Sequence, residues 1–261
     1  VSALDGRVAL VTGAARGIGR GIARRLAAAG VDVVVADLVD DASLAAEAAQ
    51  TVADVESFGR RGWTVRCDVR DEASCDAAVA FALEQAGRLD IVCANAGVLR
   101  ITPVHELTVA EFERTVDVNL LGVFRTCKAA MPHFRAQRSG CYVNVASVSG
   151  LRGAPGLAHY SATKAGVITF TQTLALELGP DGIRANCVLP GTVATDLSLA
   201  EAARRGVPGD RAMDLLTEAV LPRMPLGRIQ TPDDIGDAVV YLCSADNVSG
   251  TSINVSGGSV L

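Results

Sequence analysis

Short runs of apolar residues alternate with longer stretches in which apolar positions recur at helical spacing, from one end of the chain to the other. The runs Val8 to Thr12, Asp32 to Asp37, Trp63 to Asp68, Asp90 to Ala94, Tyr142 to Ser147, Ile183 to Leu189 and Ser252 to Val255 predict strands. Between them, the alanine-rich stretches Gly17 to Ala29, Asp41 to Phe58, Glu72 to Ala86, Val109 to Arg135, Leu157 to Leu178 and Pro232 to Cys243 predict helices. This β-then-α order implies an α/β fold, its parallel strands joined by right-handed crossovers. Most of the strands are apolar throughout ("VALV", "VVVA", "IVCA"), as a sheet covered on both faces requires. "WTVRCD" alternates instead and is expected at an edge. No strand pattern occurs from 192 to 231, a stretch that carries Pro208-Gly209, Pro222 and Pro225 and reads as a lid over a site.

Composition narrows the function. The chain has 261 residues, 49% of them hydrophobic and 20% charged, enough for one large domain spanning 1–261. The net charge is −5 and the basic residues are scattered, so no nucleic acid or anionic membrane partner is expected. No apolar run approaches the ~18 residues of a membrane helix, and the N-terminus has no signal-peptide pattern. Seven cysteines without a CxxC pair suit reduced, buried thiols in a cytoplasmic protein. The three histidines are too dispersed for a helical metal motif, and no metal is expected.

After the first strand comes "VTGAARGIG", in which Gly13, Gly17 and Gly19 let the backbone tighten and approach a ligand at the start of a helix. Amides at that start, with the positive end of the helix dipole behind them, suit a pyrophosphate. A glycine turn can also simply close a β-α junction. Asp37, 18 residues beyond Gly19, improves the dinucleotide reading, because a carboxylate at the end of the second strand meets the ribose hydroxyls. A 2′-phosphate about 4 Å from that carboxylate would suffer repulsion on the order of 4 kcal/mol per unit charge at an effective dielectric near 20. NAD is therefore expected in preference to NADP. Arg16 pulls the other way if it reaches a 2′-phosphate; it can equally pair with Asp37 or lie in solvent.

A second constellation is "HYSATKAG". Tyr160 and Lys164 are four apart and share a helical face. A tyrosine with its ordinary pKa near 10 is a poor base at neutral pH, and an adjacent ammonium is expected to lower it. Ser147, 13 residues before Tyr160 and at the carboxyl edge of the sheet, can hold a substrate oxygen, with Ser149 as the competing candidate.

With these motifs the chain resembles the short-chain dehydrogenase/reductase (SDR) family over nearly its full length. The matching segments are "TGAARGIG" (12–19), "CDV" (67–69), "NAG" (95–97), Asn119 in "VNLLG", Ser147, "YSATK" (160–164), "PGTVAT" (190–195) and "INVSGG" (253–258). The resemblance implies a single-domain Rossmann fold, a doubly wound parallel sheet in the order 3-2-1-4-5-6-7. It also implies roles. Gly13, Arg16, Gly17, Ile18, Gly19, Asp37 and Leu38 would hold the adenosine diphosphate side of the cofactor, and Asp68 and Val69 would border the adenine. Asn95, Ala96 and Gly97 would line the cofactor, and Pro190, Gly191, Thr192, Val193 and Thr195 would fix its carboxamide end. Tyr160 would move the proton, and Lys164 would set its state and bind the nicotinamide ribose. Asn119 would hold a water in a proton relay or satisfy buried backbone at a helix irregularity. The family also implies a homotetramer built through the helices after the fourth and fifth strands.

Two features depart from the family pattern. Ser256 stands where many relatives carry aspartate, and the span from Asp37 to Asp68 is a few residues long. His159 can contact substrate or merely pack. The text around "VLPGTVATDL" and "PLGR" is similar to sugar and polyol dehydrogenases and to 3-oxoacyl-acyl-carrier-protein reductases. The expected substrate is a small alcohol or carbonyl compound: a sugar, polyol or cyclic alcohol. The alternatives are an NADPH-dependent 3-oxoacyl-type ketoreductase, from which Asp37 tilts away, and a non-catalytic dinucleotide sensor, which would be expected to lack one of Ser147, Tyr160 and Lys164.

Overall fold

The computed structural model describes residues 3–195, 214, 215, 217, 218 and 220–259. Its strands are β1 (Val8–Thr12), β2 (Asp32–Asp37), β3 (Gly62–Arg66), β4 (Ile91–Ala94), β5 (Gly140–Val145), β6 (Ile183–Pro190) and β7 (Ser252–Val255). They form one sheet in the order β3-β2-β1-β4-β5-β6-β7, every pair parallel. The helices used below are α1 (Gly17–Ala28), α2 (Ala42–Ser57), α3 (Glu72–Ala86), α4 (Val109–Val116), α5 (Gly122–Gln137), α6 (Ala158–Leu178) and α7 (Pro232–Ser244).

Strand alternation explains the two cores. Leu10, Val34, Val92 and Tyr142 point to one face, beneath α3, α5 and α6, while Ala9, Val33, Ile91 and Val143 point to the other, beneath α1, α2 and α7. Each central strand must therefore be apolar at consecutive positions. The alternating "WTVRCD" segment lies at an edge, where β3 is only partly buried. All seven cysteines are buried and unpaired. Among the described residues no helix is long and apolar enough to cross a membrane.

Two local departures matter for the site. The helical stretch after β4 is not one uniform helix, since a π-helical turn at Asp117–Leu121 separates α4 from α5. The fifth strand ends at Val145 rather than at Ser147, which instead caps a short 3₁₀ turn, Val148–Gly150. Of the expected lid, residues 196–213, 216 and 219 lie outside the described residues. Its two ends are tied by a parallel bridge between Val193 and Gln230.

Helices α1 and α7 meet backbone to backbone. A Cβ added at Gly21 would sit 2.5 Å from the Pro232 carbonyl oxygen, and one at Gly236 would sit 2.7 Å from the Gly21 carbonyl oxygen. In an exposed helix Gly→Ala gains about 1 kcal/mol. Here overpacking reverses the sign, and Gly21→Ala is expected to destabilise the protein by about 1–3 kcal/mol in a denaturant titration. A neutral or stabilising result would mean that the two helices stand further apart.

Candidate active site

The parallel register brings the ends of β1, β2, β4, β5 and β6 to one edge, and with them Gly13, Asp37, Asn95, Ser147 and Pro190. Gly13 and Gly17 have φ of 64° and 56°, the left-handed region that favours glycine. A Cβ on Gly13 would also lie 2.8 Å from the Ala96 Cα. This close approach is stitched by Asn95, whose Nδ2 donates to the carbonyls of Thr12 (2.9 Å) and Gly13 (3.0 Å). The Thr12 hydroxyl accepts from the Asn95 and Ala96 amides at 3.1 and 3.2 Å. Thr12 was not singled out from the sequence, although it opens the "TGAARGIG" motif.

The N-cap of α1 is Arg16, which makes no side-chain cap, and the first turn carries no acid. The leading amides of Gly17, Ile18 and Gly19 therefore lack a side-chain acceptor and suit a phosphate. Asp37 accepts from the Ala15 amide (2.9 Å) and the Leu38 amide (2.8 Å), which fixes its charge beside the glycine turn. Arg16 pairs with Glu47 at 3.5 Å, not with Asp37. Asp68 forms a bidentate pair with Arg70, whose hydrogen bonds hold its carboxyl below the usual range, and Val69 packs beneath Gly122. Thr195 comes within 3.6 Å of where a Gly17 Cβ would be, so the Pro190–Thr195 segment reaches back to the glycine turn.

Around Lys164 the packing is tight. The residue is 3% exposed, and its Nζ donates to the Val145 carbonyl at 2.8 Å. Gly97 leaves it room: a Cβ there would lie 3.4 Å from Asn119 Oδ1 and 3.8 Å from the Lys164 Nζ. A Cβ on Gly150 would lie 2.7 Å from the Lys164 carbonyl carbon, so the turn that begins at Ser147 is pressed onto α6. Ser147 is buried and accepts from the Ser149 amide at 3.1 Å, which makes Ser149 part of the turn that Ser147 caps. Asn119, on the π turn, spends both ends of its amide on Val98, accepting from its N–H and donating to its C=O at 2.8 Å each. Its part in satisfying buried backbone at a helix irregularity is thus observed.

The electrostatics differ from expectation in one respect. Burial pushes the Tyr160 phenol above its ordinary pKa, and the opposing influence is the Ser147 hydroxyl rather than Lys164. The Lys164 Nζ lies 5.7 Å from the centre of the Tyr160 ring. The same desolvation lowers Lys164 from 10.5 to about 8. Desolvation thus penalises both charged forms, and neither group's charge relieves the other. His159 packs 6.5 Å from Phe112, fully buried, with neither ring nitrogen hydrogen-bonded among the described residues, and burial lowers its pKa.

A doubly wound sheet of this order, with a glycine turn and a fixed acid at the ends of its first two strands, is the framework of a nicotinamide-dependent oxidoreductase. A family model described as enoyl-(acyl carrier protein) reductase matches residues 13–259, and the chain belongs to the short-chain dehydrogenase/reductase family. It is 41% identical to a 4-formylbenzenesulfonate dehydrogenase of Comamonas testosteroni, over 98% of both chains. A 3-oxoacyl-[acyl-carrier-protein] reductase of Synechocystis is 36% identical over 100% of both. The crystal structure of a carveol dehydrogenase from Mycobacterium avium in complex with NAD superposes with a TM-score of 0.92 at 34% identity, covering 99% of each chain.

The buried lysine has a thermodynamic signature. Between pH 8 and 10.5 the unfolded chain keeps a proton that the folded one has released, so this group adds stability as pH rises through that window. Lys164→Met removes the contribution. The stability of wild type relative to K164M, from denaturant titrations at each pH, is expected to rise by about 3 kcal/mol across the window. A flat difference would place the ammonium in water.

Proposed function

We propose that the protein is an NAD-dependent dehydrogenase of secondary alcohols, with cyclic alcohols first among its substrates and sugars or polyols next. One observation carries this reading: a tyrosine and a buried lysine share a face of α6, against which the turn capped by Ser147 is pressed.

The nicotinamide, when bound, accepts or supplies hydride at its C4. The protein's own residues handle the oxygen and its proton. Ser147 orients the substrate hydroxyl or carbonyl. Tyr160 takes the hydroxyl proton in oxidation and returns it in reduction. Its raised pKa keeps the phenol protonated at neutral pH, the form that donates in reduction, and leaves little of the phenolate that oxidation needs. Lys164 binds the nicotinamide ribose from the same face of α6, the Ser147 hydroxyl eases the phenol's ionisation, and Asn119 holds the water that passes protons onward. Gly13, Gly17, Ile18 and Gly19 hold the pyrophosphate, Asp37 and Leu38 the adenosine ribose, and Asp68 and Val69 the adenine. Asn95, Ala96 and Gly97 line the middle of the site, and Pro190–Thr195 hold the carboxamide.

The preference for NAD is supported by Asp37, a carboxylate tied by two backbone amides at the end of β2 that would repel a nearby 2′-phosphate, and by the pairing of Arg16 with Glu47. The structurally similar carveol dehydrogenase holds NAD, and carveol is a cyclic alcohol. The likeness to a 3-oxoacyl reductase supports a second reading, ketoreduction of an acyl thioester with NADPH. The whole chain is read as one cytoplasmic domain. Exposed Leu121 and Phe124, the latter edge-on to Phe170 of α6 at 5.9 Å, suit a homotetramer built on these helices.

A panel of cyclic alcohols, polyols and ketones followed by nicotinamide absorbance is expected to show turnover of cyclic secondary alcohols, with kcat/KM at least about 100-fold higher with NAD than with NADP. Preference for NADP would return the ketoreductase reading. Tyr160→Phe is expected to cost on the order of 10³-fold in kcat while NAD still binds; turnover at the wild-type rate would remove the phenol from the mechanism. Because burial raises the Tyr160 pKa, kcat/KM for alcohol oxidation should climb from pH 7 toward 10 while the reduction rate stays level over the same range. Parallel profiles in the two directions would contradict that assignment.

A further inference from the structure

Two hydrogen bonds hold the chain after β3 to its neighbours in the sheet and in α3: the Cys67 amide donates to the Asp37 carbonyl at 2.9 Å, and the Asp68 amide to the Ser74 hydroxyl at 3.0 Å. Val69 is held from α5 instead. Gly122 opens that helix, and a Cβ there would lie 2.8 Å from Val69 Cγ2 and 3.4 Å from the Val69 carbonyl oxygen, so the missing side chain lets the two segments approach.

Arg125, three residues on and so on the same helical face, uses that approach. Its Nη1 donates to the Val69 carbonyl at 3.2 Å and to the Asp117 carbonyl at 3.3 Å, and lies 2.9 Å from Asp117 Oδ1. The side chain is 19% exposed, so water competes weakly for these contacts. Lys128, three residues further along α5, shows the ordinary alternative: an exposed pair with Glu72, side chain to side chain, of a kind that contributes little.

The Asp117 carbonyl has a second partner. It also accepts from the Gly122 amide, the bond that closes the π turn Asp117–Leu121. On that turn Asn119 is bonded to both backbone groups of Val98, and π turns of this kind collect at functional sites. One cation therefore grips the segment proposed to border the adenine and the turn proposed to serve the proton relay.

We propose that Arg125 is a positioning residue that couples the adenine end of the cofactor to the Asn119 turn: when Val69 is seated against the adenine, the same guanidinium steadies the Asp117 carbonyl and, through the turn, the bonds of Asn119 to Val98. This rests on the cofactor placement proposed above and adds to it a residue that touches neither cofactor nor substrate.

The probe is ADP-ribose, which carries the adenine and pyrophosphate and lacks the nicotinamide. Calorimetric titration of the full chain is expected to give an affinity about tenfold weaker in Arg125→Met than in wild type, with Lys128→Met unchanged. Because all three contacts run through one nitrogen, Arg125→Lys is expected to recover most of the loss. In hydrogen exchange followed by mass spectrometry, ADP-ribose should slow exchange in the peptide that contains the Val98 amide in wild type and K128M. That slowing should disappear in R125M, an effect that a role in stability alone would not produce. Arg125→Gln, which keeps a donor and loses the charge, is expected to show both losses and is read if the methionine variant does not fold. Affinity within about twofold of wild type in folded R125M or R125Q, or slowing at Val98 that persists there, would overturn the proposal and leave the cofactor placement standing. Wild type that fails to bind ADP-ribose would overturn both.

Discussion

The arrangement turns on a buried ammonium. Lys164 sits at the junction of the fifth strand and α6, and its bond to the Val145 carbonyl joins the two. Glycine at 97 and 150 is what lets the chain close around it, one leaving room beside Nζ and the other bringing the Ser147 turn against the helix backbone. An ammonium taken out of water is a thermodynamic liability in the free protein. Retaining a liability at the centre of a packed edge is the mark of a working site, since backbone strain and perturbed ionisation collect where function needs them.

The sheet supplies the rigidity that this requires. Because each central strand is apolar on both faces, register is fixed by two cores at once, and the ends of five strands arrive at one edge together. Asn95 and Thr12 then lock the first and fourth strands where the order of the sheet reverses, the place at which open α/β sheets bind ligands. Asp37 contributes from the second strand, with both carboxylate oxygens held by amides. Its position is therefore a fixed feature of that edge.

Much of this was legible in the sequence, for physical reasons that differ by element. The first, second and seventh strands have the bounds their apolar runs predict, and the third lies at an edge as its alternation implies. The glycine turn, Asp37 and the Tyr160–Lys164 spacing were readable because each demands particular residue types. The π turn at Asn119 was anticipated only as a helix irregularity that the family resemblance implies, because one extra backbone residue leaves apolar periodicity nearly intact. The direction of the Tyr160 pKa was missed because spacing reveals a neighbouring charge and conceals the loss of solvent, and here desolvation prevails. Thr12 and Val145 act largely by closing contacts between distant segments.

The ionisation of Lys164 is the most direct test. A heteronuclear NMR titration of the lysine side chains of the free protein, with K164M to assign the resonance, should give a midpoint near pH 8 for Lys164. A midpoint at 10 or above would mean that the ammonium is hydrated, and the account of a dry, lysine-centred site would fail.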